Sequence, residues 1–193
     1  MLKIETSGMV YNSKIEKRRF PVIEKGDMKF VSGIIVHQTG AATAQSTFNS
    51  YSQHFANGAH FLIDKDGKIY QTASIYRQTW HVGKLKARCL LENKCSPAEK
   101  VALTKFNPTA EHQREIKKSV PDRFPSNQDS IGIEIVGETT SGGGYVDTTV
   151  KQNSSLLWLV QELKQTLSLR ASEVFRHPTV SRKNPTEASS AKW

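Results

Sequence analysis

A chain of 193 residues with 37% hydrophobic and 23% charged side chains can bury one substantial core. Its longest apolar run, Leu156-Leu157-Trp158-Leu159-Val160, is far short of the ~18 residues a membrane-spanning helix needs. The excess of 27 Lys and Arg over 18 Asp and Glu, a net charge of +9, suits a polyanionic partner, but no helix-turn-helix, zinc-finger or RNA-recognition signature points to nucleic acid.

Residues 1–28 are polar and weakly patterned, and read as an N-terminal arm before a single domain over 29–193. No apolar signal region is visible in Met1-Leu2-Lys3-Ile4-Glu5. A buried strand is expected over about Phe30–Gln38, ending in His37. Thr43 then caps a helix whose apolar positions Ala44, Phe48, Tyr51 and Phe55 share one face, with Asn57-Gly58 as its stop. His60–Asp64 and Lys68–Ala73 form a hairpin around Lys65-Asp66-Gly67.

A polar helical insertion occupies about 84–129, with Ser96-Pro97-Ala98-Glu99 as a capping box and Thr109 as the cap of a second helix. Ser130–Gly137 is a short apolar strand. Thr149-Val150-Lys151-Gln152 opens the clearest helix, with Leu156, Val160, Leu163 and Leu167 along one face. A last strand, Glu173–Arg176, ends at His177. This order implies an α/β domain, a central mixed sheet flanked by helices.

Glu134 sits mid-strand among Ile131, Ile133 and Ile135, where a carboxylate has no evident structural task. Those isoleucines are expected to desolvate it and raise its pKa. Two strand-end histidines, His37 and His177, can converge at one sheet edge, and with a glutamate they are the parts of a zinc hydrolase site. Cys89 and Cys95 lack the second pair of a structural zinc site and read equally as free thiols or a small disulfide loop.

Five segments in order, Ile35–Thr39, Ala59–Asp64 with Asp66–Gln71, Trp80–Gly83, Ser130–Gly137 and Arg176-His177, together resemble the zinc-dependent N-acetylmuramoyl-L-alanine amidases, the family that includes bacteriophage lysozyme-type amidases and peptidoglycan recognition proteins. The resemblance implies Zn2+ held by His37, His177 and a third ligand after the second histidine. Relatives use Cys or Asp there. This chain offers Glu187, the favoured anionic donor, with Asn184 before a proline as the fallback. The resemblance further implies Glu134 as proton shuttle, Lys183 as a basic group beside the last ligand, and Trp80, His81 and His60 around the substrate, with His60 also readable as a structural imidazole packed behind the metal position. His54 and His112 match no family motif and read as surface residues.

A chain of this kind is expected to cleave the amide between N-acetylmuramic acid and L-alanine of peptidoglycan. The unusual third ligand keeps a non-catalytic peptidoglycan-binding module as the alternative. The insertion and the cysteine pair favour an antibacterial effector toxin, or a lysis enzyme, made in the cytoplasm and acting in the periplasm or on the wall. An effector would travel with an immunity protein.

Overall fold

In the computed structural model, which describes residues 1–193, strand alternation assigns every central side chain to one of two sheet faces. The strands are β1 (Lys3–Ile4), β2 (Val10–Tyr11), β3 (Ile15–Lys17), β4 (Glu24–Asp27), β5 (Gly33–Gly40), β6 (Phe61–Ile63), β7 (Ile69–Gln71), β8 (Arg77–Thr79), β9 (Ser130–Glu138) and β10 (Val174–Arg176). The helices are α1 (Ala44–Tyr51), α2 (Arg88–Leu91), α3 (Pro97–Leu103), α4 (Pro108–Glu115), α5 (Val150–Thr166) and α6 (His177–Val180).

Six strands form the central sheet in the order β10-β5-β9-β6-β7-β3, mixed because only β6 and β7 run antiparallel. On one face Ile34 and Val36 of β5, Phe61 and Ile63 of β6, and Ile131, Ile133 and Ile135 of β9 pack in the main core with Leu156, Leu159, Val160 and Leu163 of α5. The Thr149–Gln152 capping box is formed, so α5 starts where its sequence signal places it. Truncating Leu156 to alanine in such an enclosed site costs about 2–5 kcal/mol.

The other face is divided among smaller clusters. Ile35 packs with Val82, Leu85, Phe124 and Val180, while Leu62 and Val136 pack with Phe48 of α1. His37, Gly132 and Glu134 occupy the positions between these clusters. The three isoleucines of β9 therefore lie behind Glu134, across the sheet. They cannot desolvate it directly, contrary to the sequence expectation, because the strand period of two turns them away.

Several boundaries also differ. Phe30 is exposed, and the strand begins at Gly33. α1 is capped by Thr43 but ends at Tyr51, and Phe55 lies exposed with a left-handed backbone. Asn107, not Thr109, caps α4, because its side chain accepts the Ala110 N–H and Pro108 fills the first turn. His177 opens α6, with Pro178 in its first turn.

Residues 1–28, expected as an arm, lie on the body of the molecule. β3 forms the sheet edge beside β7, β4 pairs with β8, and Leu2, Val10, Ile15 and Met28 enter the main core. The insertion is tied to the body by an enclosed bidentate ion pair, Arg88 with Glu173 at 2.8 and 2.9 Å, and its end is braced internally by a second, Arg123 with Asp129 at 3.1 and 2.9 Å. A disulfide joins Cys89 within α2 to Cys95. Breaking one side of such a buried pair leaves an uncompensated charge and costs about 3–5 kcal/mol.

Candidate active site

The face opposite α5 carries an open, mostly polar cleft of about 540 Å³. His37 and Glu134 come from the central strands, Tyr51 from α1, Trp80 and His81 from the segment after β8, Tyr145 from the turn after β9, and Lys183 and Glu187 from the C-terminal loop. Gln38, next to His37, braces two of these walls. Its amide nitrogen donates to Val146 O at 2.7 Å and its oxygen accepts from Ala188 N at 3.2 Å.

His37, His177 and Glu187 are buried and bring their ligand atoms within 4.8 Å of one another. Glu187 Oε1 lies 2.9 Å from His177 Nδ1 and 3.5 Å from His37 Nδ1. Burial opposes ionisation of Glu187, but the hydrogen bonds and charges of His177 and His37 outweigh it and hold the carboxyl at about 2. Burial, with the charge of His177 beside it, pushes His37 down to about 4 against the pull of Glu187. The site therefore offers a neutral imidazole beside a carboxylate.

The donor set fits a cation. His177 Nε2 is 2.8 Å from Val82 O, which can only accept, so that nitrogen carries a proton. In the neutral ring, Nδ1 then turns its lone pair toward the Glu187 carboxylate. Two acceptors facing each other need a proton or a metal ion between them. Two imidazoles and one carboxylate are suitable donors for zinc. Asn184 is otherwise engaged. Its nitrogen donates to Gly143 O and its oxygen accepts from Thr186 N at 3.0 Å, which fixes the exposed loop instead of reaching the cluster.

Glu134 lines the same cleft. Burial, reinforced by the negative charge of Glu187 and opposed by Lys183, raises its carboxyl to about 8. Its Oε2 is buried without a hydrogen-bond partner. Its desolvation comes from its own face: His37 and Leu62 are its register partners on β5 and β6, and Tyr51 lies in the wall above.

Among the expected substrate residues, Trp80 is 54% exposed in the cleft, with the Lys25 ammonium 5.4 Å from its ring centroid. His60 is fully enclosed and outside the cleft. Its Nε2 donates to Arg77 O at 2.9 Å and its Nδ1 accepts from Gly132 N at 3.0 Å, a structural task that removes it from the substrate set. Both ring nitrogens of His81 are likewise taken up by protein partners, which leaves none for a substrate. His112 accepts the Leu85 N–H at 3.2 Å and helps seat the insertion, whereas His54 is exposed.

The profile of the N-acetylmuramoyl-L-alanine amidase family matches residues 27–189. The chain belongs to this family. No curated protein matches its sequence. Among solved structures, a selenomethionine derivative of AmpD shares 18% identity at a TM-score of 0.60, covering 99% of this chain and 95% of that one. The catalytic domain of XlyA shares 21% at 0.54, covering 88% and 87%. The endolysin amidase LysCS from Clostridium intestinale shares 17% at 0.52, covering 90% and 86%. At these identities the solved structures establish the amidase fold.

In this amidase-family cleft, Tyr51 and Tyr145 escaped the sequence reading. Burial and the neighbouring Glu134 charge raise the Tyr51 phenol well above its ordinary range, and its oxygen accepts from Ala59 N at 3.2 Å. Burial and the charges of Glu187 and Glu134 also raise Tyr145. Tyr51 reads from the sequence as one of the apolar positions on the α1 face, and Tyr145 belongs to no motif, so neither carries a local signal of chemistry.

Proposed function

We propose that this protein hydrolyses the amide bond between N-acetylmuramic acid and L-alanine of the peptidoglycan stem, using zinc held by His37, His177 and Glu187. One observation carries the reading. A compact buried group of two imidazoles and a carboxylate stands in an open cleft beside Glu134, a carboxyl held up at about 8. When bound there, zinc supplies a Lewis acid that polarises the scissile carbonyl and activates water.

The remaining work belongs to side chains. At neutral pH Glu134 can exchange a proton in either direction, so Oε2 takes the proton of the attacking water and returns it to the leaving amine. Water adds across the C–N bond, giving a lactyl carboxylic acid and a free amine. The charge of Lys183 reaches both His37 and Glu134, which suits it to stabilise the developing oxyanion. The exposed face of Trp80 offers an apolar platform for a sugar or stem peptide.

The disulfide supports action outside a reducing cytosol, in the periplasm or on the wall. Delivery as an antibacterial effector, with an immunity protein covering the cleft, fits that setting, as does release at lysis. The test is incubation of purified protein with peptidoglycan sacculi, with and without a chelator, followed by assay of new amino termini and soluble stem peptides. Chelator-sensitive release of peptides beginning with L-alanine is the expected result. Binding to sacculi with no release would instead support a non-catalytic recognition module.

A further inference from the structure

The two candidate histidine ligands end, on the sides facing away from Glu187, on consecutive residues. His37 Nε2 lies 2.9 Å from His81 Nδ1, and His177 Nε2 lies 2.8 Å from Val82 O. We propose that His81, oriented by Ser130, is a positioning residue that fixes the tautomer of His37 and so presents the Nδ1 lone pair to the metal position.

The argument is a chain of donors and acceptors. Ser130 Oγ lies 2.5 Å from Ser126 O, and a carbonyl only accepts, so the hydroxyl proton points there. Ser130 then offers lone pairs alone to His81 Nε2, from Oγ at 3.2 Å and from its carbonyl at 3.4 Å. His81 Nε2 must donate. The ring is buried and has only His37 and Ser130 as hydrogen-bond partners, with no carboxylate to compensate a charge on it. Its Nδ1 is therefore an acceptor, and the only proton available to it is the one on His37 Nε2. With that nitrogen protonated, neutral His37 carries its lone pair on Nδ1, 3.5 Å from Glu187 Oε1.

Two independent features of the chain serve this arrangement. A Cβ at Gly132 would lie 2.8 Å from His81 Nδ1 and 2.9 Å from its Cγ, so the absence of a side chain there lets the imidazole lie against β9. Asn127 Oδ1 accepts both the His81 N–H at 2.9 Å and the Val82 N–H at 2.7 Å, which locks the dipeptide serving both histidines. Partners of this kind fix ring orientation and are worth about 10–100-fold in metal affinity.

This inference rests on the metal-centre reading, and its test separates the two. Two-bond proton–nitrogen spectra of histidine-labelled, metal-free protein report each tautomer directly. His37 and His81 are both expected to carry their protons on Nε2; a wild-type His37 protonated on Nδ1 would overturn the proposal. Zinc affinity is then measured by chelator competition in His81→Asn and His81→Leu. The asparagine retains an acceptor oxygen near the Nδ1 position and should stay within a few-fold of wild type, whereas the leucine should lose about 10–100-fold. Equal affinity in the two variants would also overturn it. Should His81→Leu fail to fold, Ser130→Ala takes its place, with a smaller expected loss and a mixed His81 tautomer in the spectrum. A wild-type protein that takes up no zinc rejects the metal centre, while the spectrum still decides the tautomer.

Discussion

His37 and Glu134 are register partners on the adjacent parallel strands β5 and β9, so a buried imidazole and an unpaired carboxyl project side by side from one face of the sheet. Burial acts on the two in opposite directions. It pushes the imidazole down to about 4 and the carboxyl up to about 8, and in both cases the uncharged form is favoured. A neutral imidazole is what a metal requires. A carboxyl near neutrality is what a proton shuttle requires.

The metal reading predicts about one zinc per chain and loss of hydrolysis on chelation. His37→Ala or His177→Ala should abolish tight binding, since two remaining donors hold zinc poorly. Glu187→Ala should weaken it sharply, while Asn184→Ala should change it little because that amide braces the loop. Metal analysis and chelator competition across the four variants check the ranking. If Asn184→Ala proved the more damaging of the last two, Glu187 would lose its assignment.

Glu134→Gln removes the proton acceptor and keeps the shape of the side chain. Zinc content should be unchanged, while turnover falls by ~10²–10⁴, the usual worth of a general acid–base. Turnover near that of the wild type would move the proton transfer to another group, for which Tyr51 and Tyr145 in the cleft wall are candidates.

The same carboxyl makes stability depend on pH in a definite sense. Folding raises Glu134 from about 4.5 to about 8, so the folded state holds this proton more tightly than the unfolded chain. Its contribution is complete below pH 4.5 and is lost as the pH rises through 8. Glu187, lowered to about 2, has the opposite sign: its contribution is present above pH 4.5 and disappears as the pH falls toward 2. In metal-free protein, the melting temperature of Glu134→Gln should therefore gain on the wild type between about pH 5 and 8 and level off above that. Parallel curves for the two proteins would contradict the shift.

Much of this arrangement is legible in the chain. The α5 capping box and the hairpin about Gly67 are local signals, and each element forms where its signal lies, whereas His37, expected at a strand end, lies within β5, which continues to Gly40. What the sequence hides is set by pairing between distant strands. That Glu134 faces Leu62 and His37, with its isoleucine neighbours turned behind it, follows from strand register. The structural tasks of His60 and His81 depend on Gly132 and Ser130, 72 and 49 residues further along the chain, and no local pattern announces them. The leading segment misled for a related reason: its strands are only two to four residues long, and β3 and β4 find their partners β7 and β8 far along the chain, while β1 and β2 pair with each other.

The Cys89–Cys95 bond gives the last prediction. It closes a short loop at α2, packed with Ala87 and Leu103, and neither cysteine lines the cleft. A loop this small restricts few unfolded conformations, so chain entropy assigns the bond only about 2 kcal/mol. The insertion keeps its anchor to the body, Arg88 to Glu173, and its internal pairs, Lys118 to Glu99 and Glu115, without it. Reduction, or the Cys89→Ser/Cys95→Ser double variant, should therefore lower the melting temperature by several degrees and leave turnover on sacculi nearly unchanged at moderate temperature. Thiol titration of protein prepared under oxidising conditions should find no free cysteine. Two titrating thiols would remove the main structural support for action outside the cytosol, and a large loss of turnover on reduction would mean that the insertion shapes the cleft directly.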